Sequence, residues 1–272
     1  MPKIALLQMT SGIDPDANTR TLVEAIGQAA EQGATMLFTP EMSGLLDRDR
    51  KRAAAAVTTE ARSPVLAAVR EAAQARNIWV SLGSLALETG EGRWANRGFA
   101  IDGEGAIRAR YDKIHMFDVD LDSGESWRES NAYKAGGGAV SVPDTPLGRL
   151  GLTICYDIRF PALFDALGRE RCDVIAIPAA FTVPTGKAHW HVLQRARAIE
   201  ASAFVVAAAQ VGEHADGRRT YGHSLVVDPW GEVLLDMGGD AAGLAFCDID
   251  LARIVEVRAQ VPSLANRRQI AN

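Results

Sequence analysis

Three side chains in this sequence carry chemistry together that none carries alone: the thiol of Cys155, the carboxylate of Glu41 and the ammonium of Lys113. Cys155 closes the apolar run Leu150-Gly151-Leu152-Thr153-Ile154 and is followed by a polar turn, Tyr156-Asp157-Ile158-Arg159-Phe160-Pro161, before a helical pattern begins. A thiol at a strand tip can meet a substrate as a nucleophile once a nearby base or positive charge favours its thiolate. Glu41 follows Met36-Leu37-Phe38-Thr39 and Pro40, which ends a strand because it has no N–H to donate. A carboxylate in an apolar pocket is expected to have a raised pKa, which suits it to accept a thiol proton near neutral pH. Lys113, in Tyr111-Asp112-Lys113-Ile114-His115, supplies a fixed positive charge for the oxyanion that forms when a carbonyl is attacked, with the Tyr156 N–H as a second donor. Such a set has the chemistry to hydrolyse an amide, with the thiol forming an acyl-thioester, and that chemistry calls for no metal or organic cofactor.

Each residue also has an ordinary reading by itself. A lone cysteine in an apolar run is most often core, as Cys172 and Cys247 are read here. A loop glutamate and a solvated lysine are commonplace. All three stand at strand ends, and the surrounding elements must position them.

Strand-like runs cover residues 4–8, 35–39, 78–83, 97–101, 106–111, 139–142, 150–155, 173–177, 204–210, 223–227, 232–236 and 244–248. Helical patterns cover 18–32, 64–76, 162–170, 186–201 and 251–260. Ser63 before Pro64 reads as a helix start, because a serine oxygen satisfies free N–H groups and proline suits the first turn. Asp102-Gly103-Glu104-Gly105 and Asp228-Pro229-Trp230-Gly231 each lie between two strand-like runs and read as hairpin turns. About a dozen strands exceed one comfortable open sheet, so two stacked sheets with helices outside fit the α/β alternation. The segment 118–138 is long and rich in Gly, Ser, Asp and Glu, and reads as a functional rim loop within a single domain.

At 272 residues with 47% hydrophobic content, the chain can bury a core without staples. A formal charge of -5 gives no sign of a nucleic-acid partner. No stretch approaches a membrane span, and the apolar N-terminal run is too short for a signal peptide. Three cysteines far apart in sequence fit neither a disulfide framework nor a zinc site and suit the cytoplasm. His189 and His191 flank Trp190 at a spacing that keeps them off one helix face, and read as packing or interface residues. Arg195 and Arg197 with Glu200 read as interface or core ion pairs. Gly136-Gly137-Gly138 is not followed by the Lys-Ser/Thr of a phosphate loop, and no Gly-x-Ser-x-Gly elbow is present.

In order and combination, Thr39-Pro40-Glu41, Tyr111-Asp112-Lys113-Ile114-His115 and Cys155-Tyr156-Asp157-Ile158-Arg159-Phe160-Pro161 resemble the nitrilase superfamily of carbon–nitrogen hydrolases, from Ile4 to about Arg268. The resemblance implies one domain over 1–272, a four-layer α-β-β-α sandwich, and Glu41 as base, Lys113 as oxyanion stabiliser and Cys155 as nucleophile. It also implies a second active-site glutamate, for which Glu129 matches best among the loop acids Asp120, Asp122 and Glu125. The blocks Lys113 to Val119, Gly186-Lys187-Ala188-His189-Trp190, Arg195 to Glu200, Ala207 to Gln210 and Tyr221-Gly222-His223-Ser224 are similar to the Nit branch. That likeness implies a homodimer, with helix 186–201 and the C-terminal segment as interface candidates. It implies release of ammonia from a small carboxylate-bearing amide, deaminated glutathione first. Omega-amidase action on alpha-ketoglutaramate, nitrile hydrolysis, N-acyl transfer and a non-catalytic binding role are the alternatives. A carboxylate-bearing substrate calls for a cation, and Arg159 is the candidate, with an ion pair to Asp157 or a helix acid as its structural alternative. Phe181 and Thr182 are expected to line the pocket. Two departures stand out: Ala162 where an acid commonly braces the nucleophile loop, and Met42 after the base.

Overall fold

The alternation along the first strand explains the layering. In the computed structural model, which describes every residue except Ser123, Glu125 and 269–272, that strand is Lys3–Gln8. Ile4 and Leu6 pack with residues of a second sheet, such as Val174 and Phe204. Ala5 and Leu7 pack with helix residues Leu22, Ile26, Leu66 and Val69. Successive strand side chains point to opposite faces, so each strand of this sheet serves two interfaces.

The first sheet has the order Gly243–Asp248, Lys3–Gln8, Met36–Phe38, Trp79–Glu88, Trp94–Ile101, Ile107–Asp112, with the short Thr58–Thr59 against Trp79–Glu88. The second has the order Val233–Asp236, Leu225–Val227, Phe204–Ala207, Val174–Ala176, Gly148–Leu152, Val140–Thr145. In each sheet the three central strands run parallel and the outer ones pair antiparallel, except the short Thr58–Thr59, which pairs parallel. The central strands are apolar on both faces, as buried parallel strands must be. Helices Pro15–Glu31 and Pro64–Arg76 cover the first sheet. Helices Pro161–Arg169 and Val183–Ala201 carry Leu163, Phe164, Trp190 and Ala198 into the core of the second. This is the expected four-layer sandwich.

Local signals account for most boundaries. Ser63 Oγ accepts from the Leu66 N–H, as read from the sequence. Helix Pro15–Glu31 starts before residue 18 because Asp14 caps it and Pro15 opens it, while Asn18 turns back to bond Gly12. Helix Val183–Ala201 likewise starts before residue 186, with Pro184 in its first turn. Both expected hairpins form, joining Trp94–Ile101 to Ile107–Asp112 and Leu225–Val227 to Val233–Asp236. The segment 118–138 is less open than its composition suggests: Asp118–Asp120 pairs with Ser126–Arg128, and a 3₁₀ turn follows over Glu129–Asn131. Glu125, one of the loop acids, lies outside the described residues. The sequence reading also missed helix Arg50–Ala54 and the small hairpin Val211–Glu213 with Arg219–Tyr221. Among the described residues no helix is long and apolar enough to cross a membrane.

Candidate active site

Cys155 stands three residues past strand Gly148–Leu152, at the head of a 3₁₀ turn over Cys155–Arg159. Its φ of 50° is left-handed, a strained state for a non-glycine residue that persists only when its surroundings hold it. The Cys155 N–H donates to the Pro178 carbonyl at 2.8 Å. Asp157, fully buried, is the hub of the turn. Its Oδ2 accepts from the Ile154 N–H at 2.9 Å and from the Tyr111 hydroxyl at 2.6 Å. Its Oδ1 accepts from the His115 N–H at 3.0 Å and lies 2.7 Å from His115 Nδ1. Burial and the Asp157 charge push the Tyr111 phenol far up, so it remains a donor. These bonds tie the thiol's turn to the strand that leads into Lys113. The buried Arg197 adds a second brace through a 2.7 Å bond from Nε to the Ile158 carbonyl, while pairing with Glu200. The brace left open by Ala162 is thus supplied from elsewhere.

Glu41 lies where the chain leaves strand Met36–Phe38 and crosses the middle of Trp79–Glu88. The crossing needs Gly83, since a Cβ there would stand 2.2 Å from the Thr39 carbonyl oxygen. The next residue, Met42, has φ 57° and is held by a 2.9 Å bond from its N–H to Ser84 Oγ. The Glu41 carbonyl accepts from the fully buried Gln210 at 2.9 Å. So both base and nucleophile sit at left-handed turns pinned by buried polar side chains.

Lys113 Nζ lies 2.9 Å from Glu41 Oε1 and 2.8 Å from Glu129 Oε2, and the lysine is 2% exposed. The sequence reading missed Asn96, in the middle of strand Trp94–Ile101. Its Nδ2 donates to Glu41 Oε1 at 2.9 Å and to Glu129 Oε1 at 3.1 Å. Glu129 Oε2 also accepts from the Phe117 N–H at 2.7 Å, and Glu41 Oε2 from the Ala180 N–H at 2.9 Å. The two carboxylates share an ammonium and an amide.

Burial alone would raise the Glu41 carboxyl, but the Lys113 charge and hydrogen bonds from Lys113, Cys155 and Asn96 outweigh it and hold the group below the ordinary carboxylate range. This corrects the raised value expected from the sequence: the pocket is not apolar around the base. Burial would lower the Lys113 ammonium, but Glu129 and Glu41 push it well up. Burial, then the Glu41 charge, pushes the Cys155 thiol well up. The resting set is therefore carboxylate, ammonium and thiol. The Cys172 thiol, pushed up to about 12 by burial, is inert core as read from the sequence.

Residues 3–259 match the carbon–nitrogen hydrolase family. The chain belongs to that family. It is 39% identical to the deaminated glutathione amidase of Yersinia enterocolitica, over 99% of this chain and 94% of that one. It is 37% identical to the deaminated glutathione amidase of Homo sapiens, over 98% of this chain and 83% of that one. Among solved structures, NitFhit of C. elegans matches with a TM-score of 0.89 at 38% identity, covering 98% of this chain and 65% of that fusion protein. Saccharomyces cerevisiae Nit3, a member of branch 10 of the nitrilase superfamily, matches with a TM-score of 0.85 at 25% identity, covering 96% and 94%.

As in any carbon–nitrogen hydrolase, the substrate must reach the floor of the site. Glu41, Lys113, Glu129 and Cys155 line one cavity of about 1480 Å³, together with Tyr156, Phe181 and Thr182, which the sequence places there. Met42 lines it too. Arg159 does not. Its guanidinium lies 5.8 Å over the Tyr156 ring and 5.3 Å over the Phe181 ring, and bonds His189 Nδ1 at 3.2 Å. Among the described residues neither the expected anchor position nor the alternative ion pair with Asp157 or a helix acid is seen. The cations that do line the cavity include Arg48, Lys187 and Arg219, none of which forms an ion pair among the described residues. The sequence signal for them was weak: Arg48 precedes the missed helix Arg50–Ala54, Arg219 opens the second strand of the missed hairpin, and Lys187 lies in the second turn of helix Val183–Ala201.

Proposed function

We propose that residues 1–272 act as one amidase domain that releases ammonia from a small carboxylate-bearing amide, deaminated glutathione first, through a Cys155 thioester. The observation that carries this is Lys113 held between Glu41 and Glu129 beside the Cys155 thiol, on the floor of a cavity with a cationic mouth. In the first half-reaction Glu41 takes the thiol proton as Sγ bonds to the amide carbon. Because the thiol sits high and the carboxyl low, the proton rests on Cys155 before attack. Lys113 Nζ and the Tyr156 N–H face the oxyanion. The C–N bond breaks, Glu41 returns the proton to nitrogen, and ammonia leaves. In the second half-reaction Glu41 takes a proton from water, hydroxide displaces sulfur, and the thiol regains its proton with the free acid. All four oxygen contacts of Glu129 go to Lys113, Asn96 and the Phe117 N–H, so its part is to hold the lysine.

The relatives named deaminated glutathione amidase support this substrate class. The E41Q mutant of the amidase from Nesterenkonia, 25% identical with a TM-score of 0.82, shows covalent addition of the acetamide moiety of fluoroacetamide at its active-site cysteine, which supports a covalent route here. Exposed Val192 and Ile199 on helix Val183–Ala201, with Trp230 nearby in sequence to the paired hairpin, support a homodimer across that face. Three free cysteines suit a reducing, cytoplasmic setting.

The test is ammonia release from deaminated glutathione, alpha-ketoglutaramate, glutamine, asparagine and a simple nitrile, with Cys155→Ala as control. Fast release from deaminated glutathione, abolished in the control, is expected. Preference for alpha-ketoglutaramate or the nitrile would replace this substrate, and release from none of them would put acyl transfer to an amine or a non-catalytic role in its place.

A further inference from the structure

We infer that His191, His223 and Asp236 form a binding site for a divalent transition cation of the zinc class, separate from the catalytic cavity, which none of the three lines. The residues come from three elements: helix Val183–Ala201, the turn before strand Leu225–Val227, and the end of strand Val233–Asp236. His191 has no sequence neighbour that could join it in a site, and the fold supplies two.

The geometry is that of a ligand set drawn together on one carboxylate. His191 Nε2 lies 2.9 Å from Asp236 Oδ2. His223 Nδ1 lies 3.0 Å and 3.1 Å from Asp236 Oδ1 and Oδ2. One ligand atom from each residue lies within 4.8 Å of the others. In a tetrahedral site with bonds of about 2.0–2.1 Å the ligand atoms stand roughly 3.3 Å apart, so the carboxylate edges are nearly in place. Closing the imidazole–imidazole edge takes a side-chain shift on the order of 1 Å, available to half-buried rings. The remaining coordination positions face outward, because the three side chains are 35%, 24% and 29% exposed, and water can fill them.

The surroundings hold these groups for the task. His223 has φ 54°, an unusual state for a non-glycine residue, fixed by a 2.8 Å bond from its N–H to the Gly238 carbonyl. Its ring stacks on Tyr221 at 4.3 Å with 26° between planes. The Gly238 N–H donates to Asp236 Oδ1 at 2.9 Å, the kind of outer bond that orients a ligating carboxylate. Two imidazoles and one carboxylate suit zinc, nickel or cobalt better than magnesium or calcium, which favour all-oxygen sets. On binding, each neutral imidazole ligates through the nitrogen that faces Asp236 and carries its proton on the other ring nitrogen, so the step is a tautomer shift with no redox change.

The experiment uses the full chain with Cys155→Ala, so that the catalytic thiol cannot compete for metal. Zn²⁺ is titrated against it calorimetrically and Co²⁺ spectroscopically. One equivalent of Zn²⁺ per chain is expected, with visible Co²⁺ d–d bands and no thiolate charge-transfer band. Adding His191→Gln or His223→Gln keeps an amide donor for Asp236 but removes a ligand, and Asp236→Asn removes the charge by another route. Each is expected to weaken Zn²⁺ binding at least tenfold while melting with the parent in chelator. Unchanged affinity in these variants, thiolate ligation of Co²⁺, or no binding by the parent overturns the proposal and leaves a hydrogen-bonded surface cluster.

Discussion

Lys113 at the floor of the cavity is 2% exposed and meets two carboxylates, whereas Arg48, Lys187 and Arg219 at its mouth are exposed and pair with none among the described residues. The floor is a closed set of charges: the ammonium and the Asn96 Nδ2 donate to the two carboxylates, and two left-handed turns fix their positions, while Asn96 Oδ1 is left without a partner among the described residues. The mouth is an open set, with charge that water screens until a substrate arrives. A closed set dictates which bond is broken. An open set selects which molecule is presented, and does so through contacts of modest individual strength.

Removing Lys113 is the largest break that can be made in this comparison, because at the floor chemistry and stability are the same network. In Lys113→Met, Glu41 and Glu129 stay buried without their cation, and an uncompensated buried charge costs about 3–5 kcal/mol. Loss of one oxyanion partner costs about 10²–10³ in kcat. We expect both in one variant, read by chemical unfolding and by single-turnover ammonia release. Without the lysine, burial favours protonated Glu41, so the stability deficit should narrow as pH falls. A variant that keeps its stability would show that the floor is not a closed set.

Asn96 gives a smaller and more selective test. Its amide is one of the groups that hold Glu41 below the ordinary carboxylate range. A hydrogen bond to a charged group is worth about 1.5–3 kcal/mol, which corresponds to roughly ten- to a hundredfold in kcat/KM if it is felt in the transition state. The sign of the pH effect follows from the direction of the shift. A depressed Glu41 stays ionised as pH falls, so the parent keeps its base into acid. Asn96→Ala raises Glu41 toward its ordinary value, and the acid limb of kcat/KM should move to higher pH. A drop in rate with the limb unmoved would reduce Asn96 to a packing residue.

The floor was largely legible in the sequence and the mouth was not, for a physical reason. Glu41, Lys113 and Cys155 each close an apolar strand signal, and such signals are local. The two stacked sheets follow from the number of strands, and the cap at Ser63 from two adjacent residues. Asn96 sits mid-strand, and its partners are 55 and 33 residues away in sequence, so nothing near it marks its role. The direction of the Glu41 shift turns on a 2.9 Å separation from Lys113, which no motif encodes. Arg159 is adjacent to the nucleophile turn in sequence, yet its guanidinium packs over Tyr156 and Phe181 and bonds His189. At the mouth, hairpins Asp118–Asp120 with Ser126–Arg128 and Val211–Glu213 with Arg219–Tyr221 are short and polar. Strands of three residues without an apolar face leave no period to detect.

The mouth itself yields the smallest expected effect, and it separates the two regions most sharply. An exposed cation meeting a substrate carboxylate contributes about 0.2–1 kcal/mol, so Arg48→Ala, Lys187→Ala and Arg219→Ala should each raise KM by at most about fivefold. Because such a contact is made equally in the ground and transition states, kcat should hold. Added salt should raise the parent's KM toward the variants', since exposed charges are screened over about 8–10 Å at moderate ionic strength. A neutral amide of similar size should show none of this. If instead one of the three substitutions lowers kcat and leaves KM in place, that cation reaches the reacting carbonyl, and the division between floor and mouth has been drawn in the wrong place.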